Sequence, residues 1–122
     1  MAVDQRAPLS PESAAERLVE MSVDVRSAVL ADPAGGLVSA DDDLGGARGR
    51  RLAALAADLF AAADSALGDP AQQVEAQVDG GSVFAARSAR HTMACVARRA
   101  ALPALVLYDL QHVLSEAERE TA

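Results

Sequence analysis

The chain has no lysine and no tryptophan, a single cysteine, and only three large aromatic rings in 122 residues, Phe60, Phe84 and Tyr108. Each absence excludes something. Without lysine there is no phosphate-binding loop of the GxxxxGK[ST] kind, whose lysine reaches the phosphates. One cysteine cannot build a disulfide framework, and such a chain fits a reducing compartment. No apolar run approaches the roughly 20 residues of a membrane-spanning helix. The start, MAVDQRAPLSPESAAERL, lacks the apolar middle of a signal peptide. The expectation is a cytoplasmic protein with no membrane insertion. Aromatics are so scarce that the core must be built from Leu, Val and Ala around the three rings.

What is present then narrows the class. Hydrophobic residues make up 51% of the chain, enough at this length for one core and too little for two. We expect one domain over residues 10–118, with tails at 1–9 and 119–122. No period of 20–50 residues repeats, which excludes a solenoid. The net charge is −7, so nucleic acid and anionic lipid should be repelled. Arginines cluster locally at Arg48, Arg50, Arg51 and at Arg98, Arg99, where an acidic protein surface could meet them. The bias towards Ala, Arg, Asp and Gly suggests a GC-rich bacterial genome.

Ser10, Pro11 and Glu12 form a helix start, with a hydroxyl cap, proline in the first turn and an acid at the positive dipole end. Ala14, Ala15, Leu18, Val19 and Met21 give it an apolar face to about residue 22. Residues 25–31 and 37–40 read as a hairpin closed by Asp32-Pro33-Ala34-Gly35, a type I turn with glycine where positive φ is needed. Both faces of 25–31 are largely apolar, so this strand should lie inside the sheet. Leu52, Leu55, Ala56, Leu59, Phe60, Ala63 and Leu67 then follow the helical template over 49–67, ended by Gly68 and Pro70. Residues 72–78 alternate strictly, with Val74, Ala76 and Val78 opposite Gln73, Glu75 and Gln77, as a half-exposed edge strand does. Asp79-Gly80-Gly81 turns the chain into strand 82–88, and Ala89-Arg90-His91 turns it into strand 92–98. A last helix over 103–118 carries Leu102, Leu105, Val106, Leu110, Val113 and Leu114 as its stripe. The order is α-β-β-α-β-β-β-α, an α+β domain with a five-stranded antiparallel sheet packed with helices.

The residues that look chemical assemble nothing. Gly45, Gly46 and Gly49 have the wrong spacing for a dinucleotide fingerprint. Asp41, Asp42 and Asp43 are consecutive where a calcium loop needs alternation, so they read as a solvated loop. Cys95 sits mid-strand as a small hydrophobe. His91 falls in a turn and His112 at the edge of the last helix's stripe, with no metal-ligand spacing. No GxSxG elbow appears, and no nucleophile can be paired with a base. The expectation is a non-enzyme without cofactor or metal.

The order of elements, together with VRSAVLADPAGGLVSAD, LAALAADLFAAADSAL and VEAQVDGGSVFAARSARHTMACVARRAALPALVLYDL, resembles the Roadblock/LC7 family. That resemblance spans about residues 12–118. Its hairpin turn carries Asp–x–x–Gly, matched by Asp32 and Gly35. What it implies is a homodimeric regulator or scaffold for a small Ras-like GTPase, joined through the central helix and third strand into a ten-stranded sheet. In this chain those elements are 49–67 and 72–78. The interface residues so implied are Leu52, Ala53, Ala57, Ala61, Gln73, Val74, Glu75, Ala76 and Gln77. The alanines at 53, 54, 57, 61 and 62 lie off the predicted core stripe and would admit a close helix. Arg48, Arg50 and Arg51, with the glycine-rich loop before them, are the candidate docking site for the partner. The alternative is a small-ligand sensor of the profilin-like or PAS-like kind, which needs a pocket with convergent polar groups.

Overall fold

The computed structural model describes residues 9–41 and 46–121. A 3₁₀ turn, Pro11–Ser13, leads into α1 (Ala14–Met21). Strands β1 (Val25–Ala31) and β2 (Leu37–Ala40) precede α2 (Ala47–Leu67). Strands β3 (Gln73–Val78), β4 (Gly81–Arg87) and β5 (Thr92–Arg98) then lead to α3 (Pro103–Thr121). The predicted α+β layout is therefore present, element for element.

The sheet runs in the order β2-β1-β5-β4-β3, with every neighbouring pair antiparallel. β1 is internal, as its two apolar faces predicted, and β3 lies at an edge. The β1–β2 turn is held by Asp32: its Oδ1 accepts the N–H of Ala34 at 3.0 Å and of Gly36 at 2.7 Å. Gly35 takes φ 92° there, a left-handed conformation that glycine adopts without the steric cost of a Cβ.

Two apolar clusters sandwich the sheet. On one face α1 and α3 pack over Leu30, Phe84, Met93 and Cys95. On the other, Leu52, Ala53, Ala56 and Phe60 of α2 pack over Val29, Val83, Ala85 and Ala94. Burial of each large side chain contributes about 1.5–3 kcal/mol, and Phe84, Leu18, Leu30, Met93 and Leu110 are the largest of those wholly enclosed.

Several expectations are corrected. Leu9, assigned to a tail, is buried in the α1–α3 cluster, and α3 continues past residue 118 to Thr121. Tyr108 is no core ring but stands in solvent, as do Leu102 and Leu105. The buried stripe of α3 is Val106, Leu110, Val113, Leu114 and Ala117, because the first turn of the helix reaches the sheet only at Val106. In α2, Leu55 and Leu67 are exposed while Gly49 and Ala53 are buried. The face that meets the sheet is thus rotated towards Ala53. Strand β4 starts at Gly81 because that glycine already pairs with Val78 and Arg98.

Candidate functional site

Strand β3 has one neighbour, β4, and its other edge pairs with nothing among the described residues. Such an edge presents a row of main-chain N–H and C=O groups to a further strand. Val74 and Ala76 are half-buried towards α2, while Gln73, Glu75 and Gln77 are exposed. No proline or bulge interrupts its six-residue register with β4, so the edge stays regular.

Beside it lies α2. Leu52 and Ala53 face the chain's own sheet, each only 7% exposed, so their side chains belong to the core. Ala53 does not lie off the core stripe as its place in the pattern suggested. Ala54, Ala57, Ala61 and Ala62 are exposed, and they form a face of small side chains. Gly46 starts the helix at φ 70°, and Arg48, Arg50 and Arg51 are exposed in its first turns. The helix start has no acidic residue in its first turn, so the positive end of the dipole and the arginines add rather than cancel. Of the loop before it, residues 42–45 lie outside the described residues. Asp41 is not a solvated loop residue: it is buried, and its Oδ1 accepts the Ala28 N–H at 2.9 Å.

A clamp in this region leaves no trace in the sequence pattern. Arg87, at the end of β4, donates from Nη2 to both carboxylate oxygens of Asp64 at 2.6 Å and from Nε to the Ala71 carbonyl at 2.8 Å. The Ala71 N–H returns to Asp64 Oδ1 at 2.7 Å, and the guanidinium lies 4.4 Å from the centre of the Phe60 ring. These contacts tie the last turns of α2 to the entry of β3. The guanidinium hydrogen bond, then the Ala71 N–H, hold the Asp64 carboxyl below the usual carboxylate range. Asp64 and Arg87 lie 23 residues apart, and no local periodicity links them.

The chemistry-bearing residues are placed apart. Burial pushes the Cys95 thiol up to about 12, which leaves it protonated and unreactive. His91 is buried in the β4–β5 turn and its Nδ1 bonds the Glu118 carboxylate of α3. His112 pairs with Glu116 one turn on, at 3.1 Å. Among the described residues no three His, Cys, Asp or Glu side chains gather to hold a metal ion, and no helix is long and apolar enough to cross a membrane. Two hollows lie among the described residues. One, of about 270 Å³, runs along the outer face of α3 between Tyr108 and Arg119. The other, of about 240 Å³, lies at the β3–β4 turn between Gln77, Ser82 and Arg99.

Comparison with known proteins agrees with this architecture. No curated protein matches the chain by sequence. Among solved structures, a Roadblock/LC7 domain from Streptomyces avermitilis shares 24% identity over 88% of this chain and 94% of its own, with a TM-score of 0.75. The gliding protein MglB from Thermus thermophilus shares 19% identity over 97% of this chain and 93% of its own, with a TM-score of 0.74. Profilin II from Acanthamoeba castellanii shares the fold at 12% identity, over 87% of this chain and 94% of its own, with a TM-score of 0.64. The model of the Roadblock/LC7 domain matches residues 15–98, from α1 to the end of β5, and the chain belongs to the Roadblock/LC7 family.

Proposed function

We propose that this chain is a non-catalytic regulator or scaffold that works as a homodimer and binds a small Ras-like GTPase in a bacterial cytoplasm. The observation that carries the reading is the open edge of β3 beside the small-residue face of α2. A two-fold mate placed there adds its own β3 antiparallel, satisfies the free main-chain groups and extends the sheet to ten strands. Ala57 and Ala61 then let the two α2 helices approach closely, while Gln73, Glu75 and Gln77 stay at the wetter side of the junction. The likeness to a gliding protein, MglB, supports a signalling role. Arg48, Arg50 and Arg51 form the docking site for the GTPase. Regulation on this reading comes from ordering the GTPase's own switch segments.

The test is the molar mass in solution by light scattering. Wild type is expected at twice the chain mass. Ala61→Glu puts two like charges across the two-fold axis and should raise the dissociation constant at least tenfold, about 1.4 kcal/mol. Because Ala61 is exposed, the variant keeps its circular dichroism spectrum. A monomeric wild type would sink the dimer; a variant that dimerises as tightly as wild type would remove α2 from the interface.

A further inference from the structure

The hollow at the β3–β4 turn is built on the sheet face opposite α2. Gln77 and Ser82 stand directly opposite each other on neighbouring strands, and Ser82 pairs in turn with Ala97 of β5. Residues placed directly opposite share a face of the sheet, and Ala97 belongs to the cluster under α1 and α3. Both side chains therefore rise on that face, where Gln77 is exposed. After Ala97, β5 ends in a turn closed by the Ala101 N–H on the Arg98 carbonyl at 3.0 Å. Arg99, at the corner of that turn, lines the hollow with Gln77 and Ser82.

Two of these polar groups have no bond to make within the chain. Ser82 is 8% exposed, yet its hydroxyl has no protein partner among the described residues. The little surface it keeps opens into the hollow. Polar groups placed this deep are ordinarily hydrogen-bonded. Arg99 makes no ion pair among the described residues, whereas Arg98 beside it is bound to Asp24 at 2.5 Å. Asp79, in the β3–β4 turn, and Glu75, two residues before Gln77, do not pair with Arg99.

A guanidinium, a hydroxyl and a primary amide thus line one hollow, and all three can donate. Two oxygens in one plane match a guanidinium in a bidentate pair. One positive charge, with Glu75 on the same face of β3, balances one negative charge and not two, which favours a carboxylate over a phosphate dianion. The volume of about 240 Å³ is below the roughly 300–1,000 Å³ of sites that take a whole drug-sized ligand. It suits a carboxylate carried on a short chain, such as a small acid or the end of a peptide. We infer that the β3–β4 hollow is a carboxylate-binding site, in which Arg99 pairs with the anion and Ser82 Oγ and the Gln77 amide donate to it. An open site with one charge binds weakly, with a dissociation constant of roughly 1–10 mM for a short acid. It lies on the face away from α2 and does not use the main-chain edge of β3, so it does not depend on the pairing of two copies.

Amide chemical shifts of the full chain, followed by NMR during titration with acetate, N-acetylglycylglycine, its carboxamide and inorganic phosphate, test the site. Both carboxylates should move the Gly81, Ser82 and Arg99 signals along saturable curves, and the carboxamide should leave them in place. Arg99→Gln, an exposed position, should weaken binding about tenfold or more. Ser82→Ala should weaken it a few-fold, and Glu75→Gln should strengthen it by removing a like charge. Equal affinity for acetate and the dipeptide would mark a small acid as the ligand; tighter binding of the dipeptide would mark the end of a protein chain. Shifts that do not saturate, a carboxamide as effective as the acid, or an Arg99→Gln variant that binds like wild type would each overturn the proposal. Phosphate bound more tightly than either carboxylate would overturn it too.

Discussion

Gly81 stands where two backbones come closest. A Cβ there would lie 2.2 Å from the carbonyl oxygen of Ala97, and both atoms belong to paired strands, so neither can turn aside. Gly81→Ala should cost about 1–3 kcal/mol through overpacking and strand displacement, read as a lower urea midpoint. Gly80→Ala is the control, since nothing lies within 4 Å of its Cβ position. Asp64 acts through charge instead. Arg87 and the Ala71 N–H stabilise its carboxylate, so the folded chain binds that proton less readily than the unfolded chain. A carboxyl depressed in this way contributes stability above its unfolded value of about 3.9, and loses it as pH falls through the folded value. Asp64→Asn should therefore be less stable than wild type at pH 7, with the gap narrowing below about pH 4. Urea titrations at pH 7 and in acid check it; a gap that stays constant would mean that the pair's charge contributes nothing. Glu118 titrates in the same direction: burial pushes its carboxyl up, but the hydrogen bonds of His91 and Ser88 outweigh that and hold it below the usual range.

At the scale of elements, local chemistry was legible and the orientation of helices was less so. The β1–β2 hairpin follows from Asp32 and Gly35, whose roles depend on only a few adjacent residues. Asp32→Ala removes the acceptor for two N–H groups, so about 1–2 kcal/mol should be lost, as a drop in melting temperature. A loss near zero would mean that Gly35 alone sets the turn. The edge position of β3 followed from its alternation, because a strand covered on one face shows period two. The helices differ because a 3.6-residue stripe marks a broad arc, and the sheet covers only part of it. Leu102, Leu105 and Leu67 sit at helix ends beyond that cover. Ala53 resembles the surface alanines in type, yet it is enclosed against the sheet. The Arg87–Asp64 and His91–Glu118 pairs join residues 23 and 27 apart, and only the folded topology brings them together. The same limit held for Asp41, one of three like residues in a row, whose carboxylate reaches back to β1.

Across the whole molecule, the charge is distributed so as to choose partners. At −7 the chain repels acidic proteins over most of its surface, with a reach of about 8–10 Å at ordinary salt. Arg48, Arg50 and Arg51 gather positive charge at the start of α2, where the helix dipole has the same sign. On the proposed reading, a GTPase that presents acidic residues is steered there and kept off elsewhere. In the two-fold dimer each copy brings one such cluster, at the same end of an α2 that also forms the junction. Docking and dimerisation then share one helix, and Arg50 continues the face of Ala54, Ala57 and Ala61 at steps of four, three and four residues. Replacing Arg50 and Arg51 together by glutamate turns two positive charges per copy into two negative ones. Association with a GTP-loaded small Ras-like GTPase should slow by about tenfold or more, with dissociation changed less, and the difference should shrink as salt rises. Biosensor kinetics at low and high salt measure both effects. An association rate unchanged by the double reversal would show that the GTPase docks elsewhere; loss of the dimer in the same variant would show that the arginines serve the junction instead.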